Sequence, residues 1–159
     1  MPISYKDIWD TAHVKQQLRS ETMPEWKIFI YFLAITVFDW VQFTTFRLAP
    51  TPDPVPNHVQ VEAWVSLAIT AIGIIYLYLC NGGIRGRNFL QRYFSLSVVV
   101  GIKFVLISIV LYWFHGLVVE DMHPDFQIWS STTILIAINI AMFARTGIHL
   151  RGIVYSEPV

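Results

Sequence analysis

The chain has 159 residues, 55% of them hydrophobic and only 14% charged, and its 11 basic side chains balance 11 acidic ones. A charged fraction so far below the usual quarter excludes an ordinary soluble domain, and zero net charge gives no reason to expect nucleic acid as a partner. A single cysteine, Cys80, excludes an intrachain disulfide and any CxxC redox or zinc motif.

Residues 1–24 read as a cytoplasmic interfacial segment, with one helix over 3–21 lying on the membrane surface. Ser4 and Asp7 have the spacing of a capping box. Ile8, Trp9 and Ala12 are expected to face lipid while Lys6, Lys15 and Arg19 meet head groups, and Val14 and Leu18 drift off that narrow apolar face. No apolar core of a signal peptide precedes the first span, so no cleavable leader is expected.

Four apolar stretches follow, at about 27–48, 59–80, 89–114 and 128–144, each close to the ~20 residues needed to cross a bilayer as a helix. The period-two alternation of a membrane barrel is absent. The fold class is therefore all-α: a polytopic four-transmembrane-helix bundle, one domain over residues 1–159. Lys6, Lys15, Arg19 and Lys27 precede or open the first span, Arg85, Arg87 and Arg92 lie between the second and third, and Arg145 and Arg151 follow the fourth. This asymmetry assigns those segments and both termini to the cytoplasm, which means the inner membrane if the source is bacterial.

The first connection, "APTPDPVPNH", has proline at alternate positions and reads as a stiff spacer. In the second, "CNGGIRGRNFLQR", Gly82 and Gly83 suit the left-handed end of a helix. Arg85, Arg87 and Arg92 form a basic group suited to anionic lipid head groups. No P-loop is present. Ser97 with Gly101, and Ala137 with Ala141, are small-xxx-small pairs that permit close helix approach; the first suggests where the third span meets a neighbour.

Two opposite charges interrupt the apolar spans. Asp39 lies 12 residues beyond Lys27 and Lys103 lies 11 beyond Arg92, so both are ~16–18 Å from the inner boundary at 1.5 Å per residue. Each alone costs ~2.5–3.5 kcal/mol at mid-membrane. Mutual pairing is the economical solution, and it predicts that spans one and three touch there. Thr36, Gln42, Ser95 and Asn139 are candidates for a polar seam around the pair, and Arg92, Ser95, Val99 and Lys103 share one helical face. Three roles suit the pair: a clasp that fixes helix register, a carboxylate that changes protonation in a transport cycle, or a charge reserved for a helix of a partner subunit.

At the outer end, His58 and Glu62 stand one helical turn apart. His115, Glu120, Asp121 and His123 lie at or after the end of span three. Their donor types suit a transition metal if three or four converge, or else form a solvated acidic rim. No Ser-His-Asp or Cys-His arrangement is visible. Three functional classes follow. The first is a non-catalytic accessory subunit that assembles through its helices with other membrane subunits or with itself. The second is a small proton- or ion-coupled transporter using Asp39 and Lys103, and the third a membrane enzyme with a metal at the outer rim.

Overall fold

The computed structural model describes residues 3–48 and 57–154, residues 40–48 by backbone alone. The proline-rich connection, Trp40 and Gln42 are thus outside the described side chains. All regular structure among the described residues is helical: α1 Tyr5–Trp9, α2 Thr11–Arg19, α3 Glu25–Leu48, α4 Asn57–Cys80, α5 Phe89–Val119 and α6 Pro124–Val154, with a 3-10 turn at Gly83–Arg85.

Among the described residues three helices, α4, α5 and α6, are long and apolar enough to cross a membrane. At 24, 31 and 31 residues they extend ~36–46 Å, more than the ~30 Å hydrocarbon layer. Their outward faces carry large apolar side chains: Ile72, Ile75 and Leu79 on α4, and Ile109, Trp113 and Leu117 on α5, are all more than half exposed. Water would not tolerate so continuous an apolar surface; lipid would. The helix expected over 27–48 exists as the continuous α3.

The long helices are not evenly packed. α6 forms the broadest seams, with α4 and with α5, and α3 packs on α5 with no comparable seam to α4 or α6 among the described residues. The α4–α6 seam is tight because glycine and aromatic rings alternate across it. A methyl group at Gly73 would press into the Phe143 ring, and one at Gly147 into the Tyr76 ring. Farther along, Thr132 donates to Glu62 Oε2 at 3.2 Å.

The bundle has a basic end, with the N-terminal helices and the Gly82 turn, and an acidic end, with Glu120, Asp121 and Asp125. At the basic end, Gly82 takes φ +94° and Gly83 φ +57°, the conformation expected of this pair. Asn81, fully buried, ties the turn together. Its amide donates to the Arg87 carbonyl at 3.2 Å, and its side-chain oxygen accepts from Arg92 at 3.4 Å.

The N-terminal segment departs from the single surface helix expected of it. It breaks at Asp10, whose carboxylate turns back to accept from the backbone N–H of Ala12 and His13 and so starts a new helix. The capping box is present: Ser4 accepts from the Lys6 N–H, and Asp7 Oδ2 accepts from the Ser4 N–H at 2.8 Å. Ile8, Trp9 and Ala12 are exposed, as anticipated, but the buried stripe is Asp7, Thr11, Val14 and Leu18. Those residues recur every three or four positions, and they pack the pair α1–α2 onto α5, with α2 also reaching α6. Val14 and Leu18 therefore belong to the bundle core.

Candidate functional site

Asp7 is a buried carboxylate whose oxygens are both engaged. It is 1% exposed, and Lys27 Nζ lies 2.8 Å from its Oδ2. Gln17 Nε2 donates to its Oδ1 at 3.0 Å, and the ring of His13 stands 3.4 Å from the same oxygen. The Tyr31 hydroxyl donates to the Asp7 carbonyl at 2.7 Å. Burial alone would raise the carboxyl, but hydrogen bonds from Lys27, Ser4 and Gln17, with the Lys27 charge, outweigh it and hold Asp7 below its ordinary value. Sequence reasoning saw only the helix cap. The clasp needs Lys27 and Tyr31 from α3, and no local pattern announces that.

The predicted partners Asp39 and Lys103 are on different sides of α5. Lys103 Nζ donates to Thr11 Oγ1 at 2.9 Å, under the N-terminal helices. Asp39 lines a cavity of about 560 Å³ together with Ala34, Ser97, Gly101, Asn139 and Phe143. Lys103 is two residues from both Gly101 and Val105, which also lines that cavity. At ~100° per residue it therefore projects about 160° away from the cavity wall. Phe32 meets Phe94 edge-on at 5.1 Å. Since α3 and α5 run the same way, this register keeps the two charges near one level, as expected. The two charges diverge around the helix axes, so the expected pair does not form. Among the described residues Asp39 joins no ion pair.

The proposed polar seam divides in the same way. Ser95 is buried and donates to Met23 Sδ at 3.3 Å, on the face of α5 that carries Lys103. Thr36 donates to its own helix at Phe32 O. Asn139 donates to Leu135 O and lines the cavity near Asp39. The shared face of Arg92, Ser95, Val99 and Lys103 is real, but its first three members are buried, with Met23 against Ser95, Thr11 against Lys103 and Asn81 against Arg92. The basic trio is likewise split: Arg85 and Arg87 are exposed, whereas Arg92 is 2% exposed and engaged with Asn81.

The cavity is a cleft rather than a closed chamber. Its walls are α3 and α4, which share no extensive seam, and its floor is α5 and α6. Among the described residues, a methyl group built on Gly101 would meet nothing within 4 Å. Small side chains and open space thus lie beside a solitary carboxylate.

At the acidic end, the six metal candidates do not converge. Among the described residues no three of His, Cys, Asp and Glu come close enough to hold an ion. Glu62 is taken up across the α4–α6 seam by Thr132, and His115 bonds Ser130 Oγ at 2.7 Å. Glu120 and Asp121 are exposed on the turn, while His123 pairs with Asp125 at 3.5 Å in an exposed contact. His58, half-buried at the start of α4, has no second and third ligand beside it among the described residues. The physical reason is that three helix ends supply these groups, and each was drawn into a helix–helix contact or out to solvent.

Comparison with known proteins returns no matching family model, no matching curated protein and no matching solved structure.

Proposed function

We propose that this chain is a small four-span membrane subunit without chemistry of its own, with both termini and the Arg85 turn in the cytoplasm, and that the cleft between α3 and α4 receives a helix of a different membrane protein. The carrying observation is Asp39, a carboxylate on a mid-span helix that lines an open cleft and is paired with nothing among the described residues. Such a charge costs ~2.5–3.5 kcal/mol against lipid, and a basic or donor side chain from a partner helix would offset it. The floor favours a helix as occupant, since Ser97 and Gly101 are the small pair that lets backbones approach closely, and no described residue occupies the space above Gly101. Charge complementarity argues against a second copy, because the basic residue of matching depth, Lys103, faces the other way and is bonded to Thr11.

The test is photocrosslinking in native membranes from a probe at Ala34 or Gly101 in the cleft, with Ile109 on the lipid face of α5 as control. The expected product is a single heterologous transmembrane segment bearing Lys, Arg or His, lost in Asp39→Leu. Crosslinks to a second copy, or to lipid alone, would overturn the reading, as would a partner that is retained unchanged by Asp39→Leu.

A second reading, a proton- or ion-coupled carrier, draws support from the polar groups that share the cleft with Asp39, namely Thr70, Ser97 and Asn139. It would rest on Asp39 without Lys103. Proton uptake by liposomes containing the purified chain alone, abolished by Asp39→Asn, separates it from the subunit reading.

A further inference from the structure

On the opposite face of α5 from the cleft lies a second cavity, of about 520 Å³, between α5, α6 and the start of α2. Its charged lining is unbalanced. Lys103 and Arg145 face it beside the uncharged imidazole of His149, with Asp10 also in the lining. Lys15 is close enough for its charge, with those of Arg145 and Lys103, to act on His149. Burial, then the charges of Arg19 and Arg145, lower the Lys15 ammonium from its ordinary value. The one carboxylate present is already engaged, because Asp10 Oδ1 accepts from two backbone N–H groups at the start of α2. Among the described residues none of Lys15, Lys103 and Arg145 joins an ion pair.

Cations gathered in this way repel one another unless an anion lies among them. The remaining wall says which kind. Val100, Phe104 and Ile107 recur at helical spacing along α5 and form an apolar stripe on the same cavity, and Ile107 is 48% exposed on the outer surface. A cationic pocket that continues into an apolar track suits a ligand with an anionic head and a hydrocarbon tail.

We propose that the cavity between α2, α5 and α6 binds the phosphate of an anionic glycerophospholipid, with Lys103 and Arg145 holding the phosphate and an acyl chain lying along Val100, Phe104 and Ile107. The N-terminal helices act as the lid of this site: Thr11 orients Lys103 through its 2.9 Å hydrogen bond, and α2 brings Lys15 to the cluster. The site is separate from the exposed Arg85 and Arg87 of the Gly82 turn, and the inference does not depend on the occupant of the Asp39 cleft.

The experiment uses the full chain, delipidated in mild detergent and reconstituted into nanodiscs of phosphatidylcholine with or without phosphatidylglycerol, followed by native mass spectrometry of co-released lipid. Phosphatidylglycerol is expected to be retained in preference to phosphatidylcholine. Lys103→Gln and Arg145→Gln should each lower that retention about fivefold, and the double variant roughly thirtyfold. Lys103→Gln keeps an amide donor for Thr11, so loss of fold is checked by an unchanged helical circular-dichroism melt. Equal retention of the two lipids, or an equal loss in Arg85→Gln/Arg87→Gln, would overturn the proposal by reducing it to general attraction to the surface. Inorganic phosphate in lipid-free detergent tests the source. No change in melting supports the lipid, whereas stabilisation that Arg145→Gln abolishes, with no selective lipid retention, refutes the lipid and leaves a soluble phosphate ester as ligand.

Discussion

Asp7 and Asp39 are two carboxylates in one small chain with opposite surroundings. Asp7 is sealed within the N-terminal helices, its carboxylate receives the Ser4 N–H, the Gln17 amide and the Lys27 ammonium, and it holds the N-terminal helices to α3. Asp39 stands at an open cleft and pairs with nothing among the described residues. A buried charge whose hydrogen-bonding capacity is filled fixes geometry, and breaking it is costly because its partners are left behind. A carboxylate beside an open cleft with no ion-pair partner among the described residues does no comparable work in its own fold, and the proposal of a partner helix starts from that contrast.

The largest effect should come from breaking the satisfied site. Asp7→Ala leaves Lys27, whose side chain is 11% exposed, without its counter-charge, and removes the acceptor used by Gln17. A cost of about 3–5 kcal/mol is expected, concentrated in the docking of α1–α2 rather than in the long helices. The check is tryptic cleavage after Lys15 and Arg19, which should become rapid while the helical signal of the membrane spans persists.

The same site carries the acid dependence. Because the Asp7 carboxyl titrates below its ordinary value when folded, its contribution is complete above the unfolded-state value, ~3.9, and is lost as pH falls through the lower folded value. The N-terminal helices should therefore stay docked at pH 5 and be released only at more acid pH, and Asp7→Asn should flatten that dependence. Release already complete at pH 5 would mean that the Lys27 contact does not govern docking.

Next in size is the α4–α6 seam, which belongs to neither carboxylate and tests whether the bundle stands without them. Gly147→Ala forces a methyl group into the Tyr76 ring, with an expected loss of about 1–3 kcal/mol in thermal unfolding. A smaller effect should follow from Thr11→Val. That change removes the acceptor of Lys103 and should cost about 0.5–1.5 kcal/mol, read as faster cleavage after Arg19.

These sites also mark how far the sequence could be read. Helical class, three of the long apolar spans, the Ser4–Asp7 cap and the Gly82 turn were legible because each depends on neighbours within a few residues. The face made by Arg92, Ser95, Val99 and Lys103 was legible too, since 3.6-residue periodicity shows which side chains point together. Periodicity does not say what lies against that face. Matched depth suggested Asp39, but the cover is Met23 from the segment before α3 and Thr11 from α2. The cover was hidden because its own inward stripe begins with Asp7 and Thr11, polar residues that disguise a buried face. The outer histidines failed for a related reason: shared location at one end of a bundle is weaker than the shared direction that a metal requires.

The smallest expected effect is the one that tests the comparison most directly. Asp39→Asn keeps size and polarity while removing the charge, and in the isolated chain nothing described depends on that charge. Thermal unfolding of the purified variant should shift by no more than ~0.5 kcal/mol, as for a surface substitution away from any special feature. Asp39→Leu should be neutral or mildly stabilising, because a bare carboxylate no longer faces the apolar cleft. A loss above about 1 kcal/mol in Asp39→Asn would mean that the carboxylate has an intrachain partner after all, and the contrast with Asp7 would fail. With the chain's own stability unchanged, any loss of a copurifying membrane protein in the same variant is attributable to the cleft, since the defect cannot then be traced to misfolding.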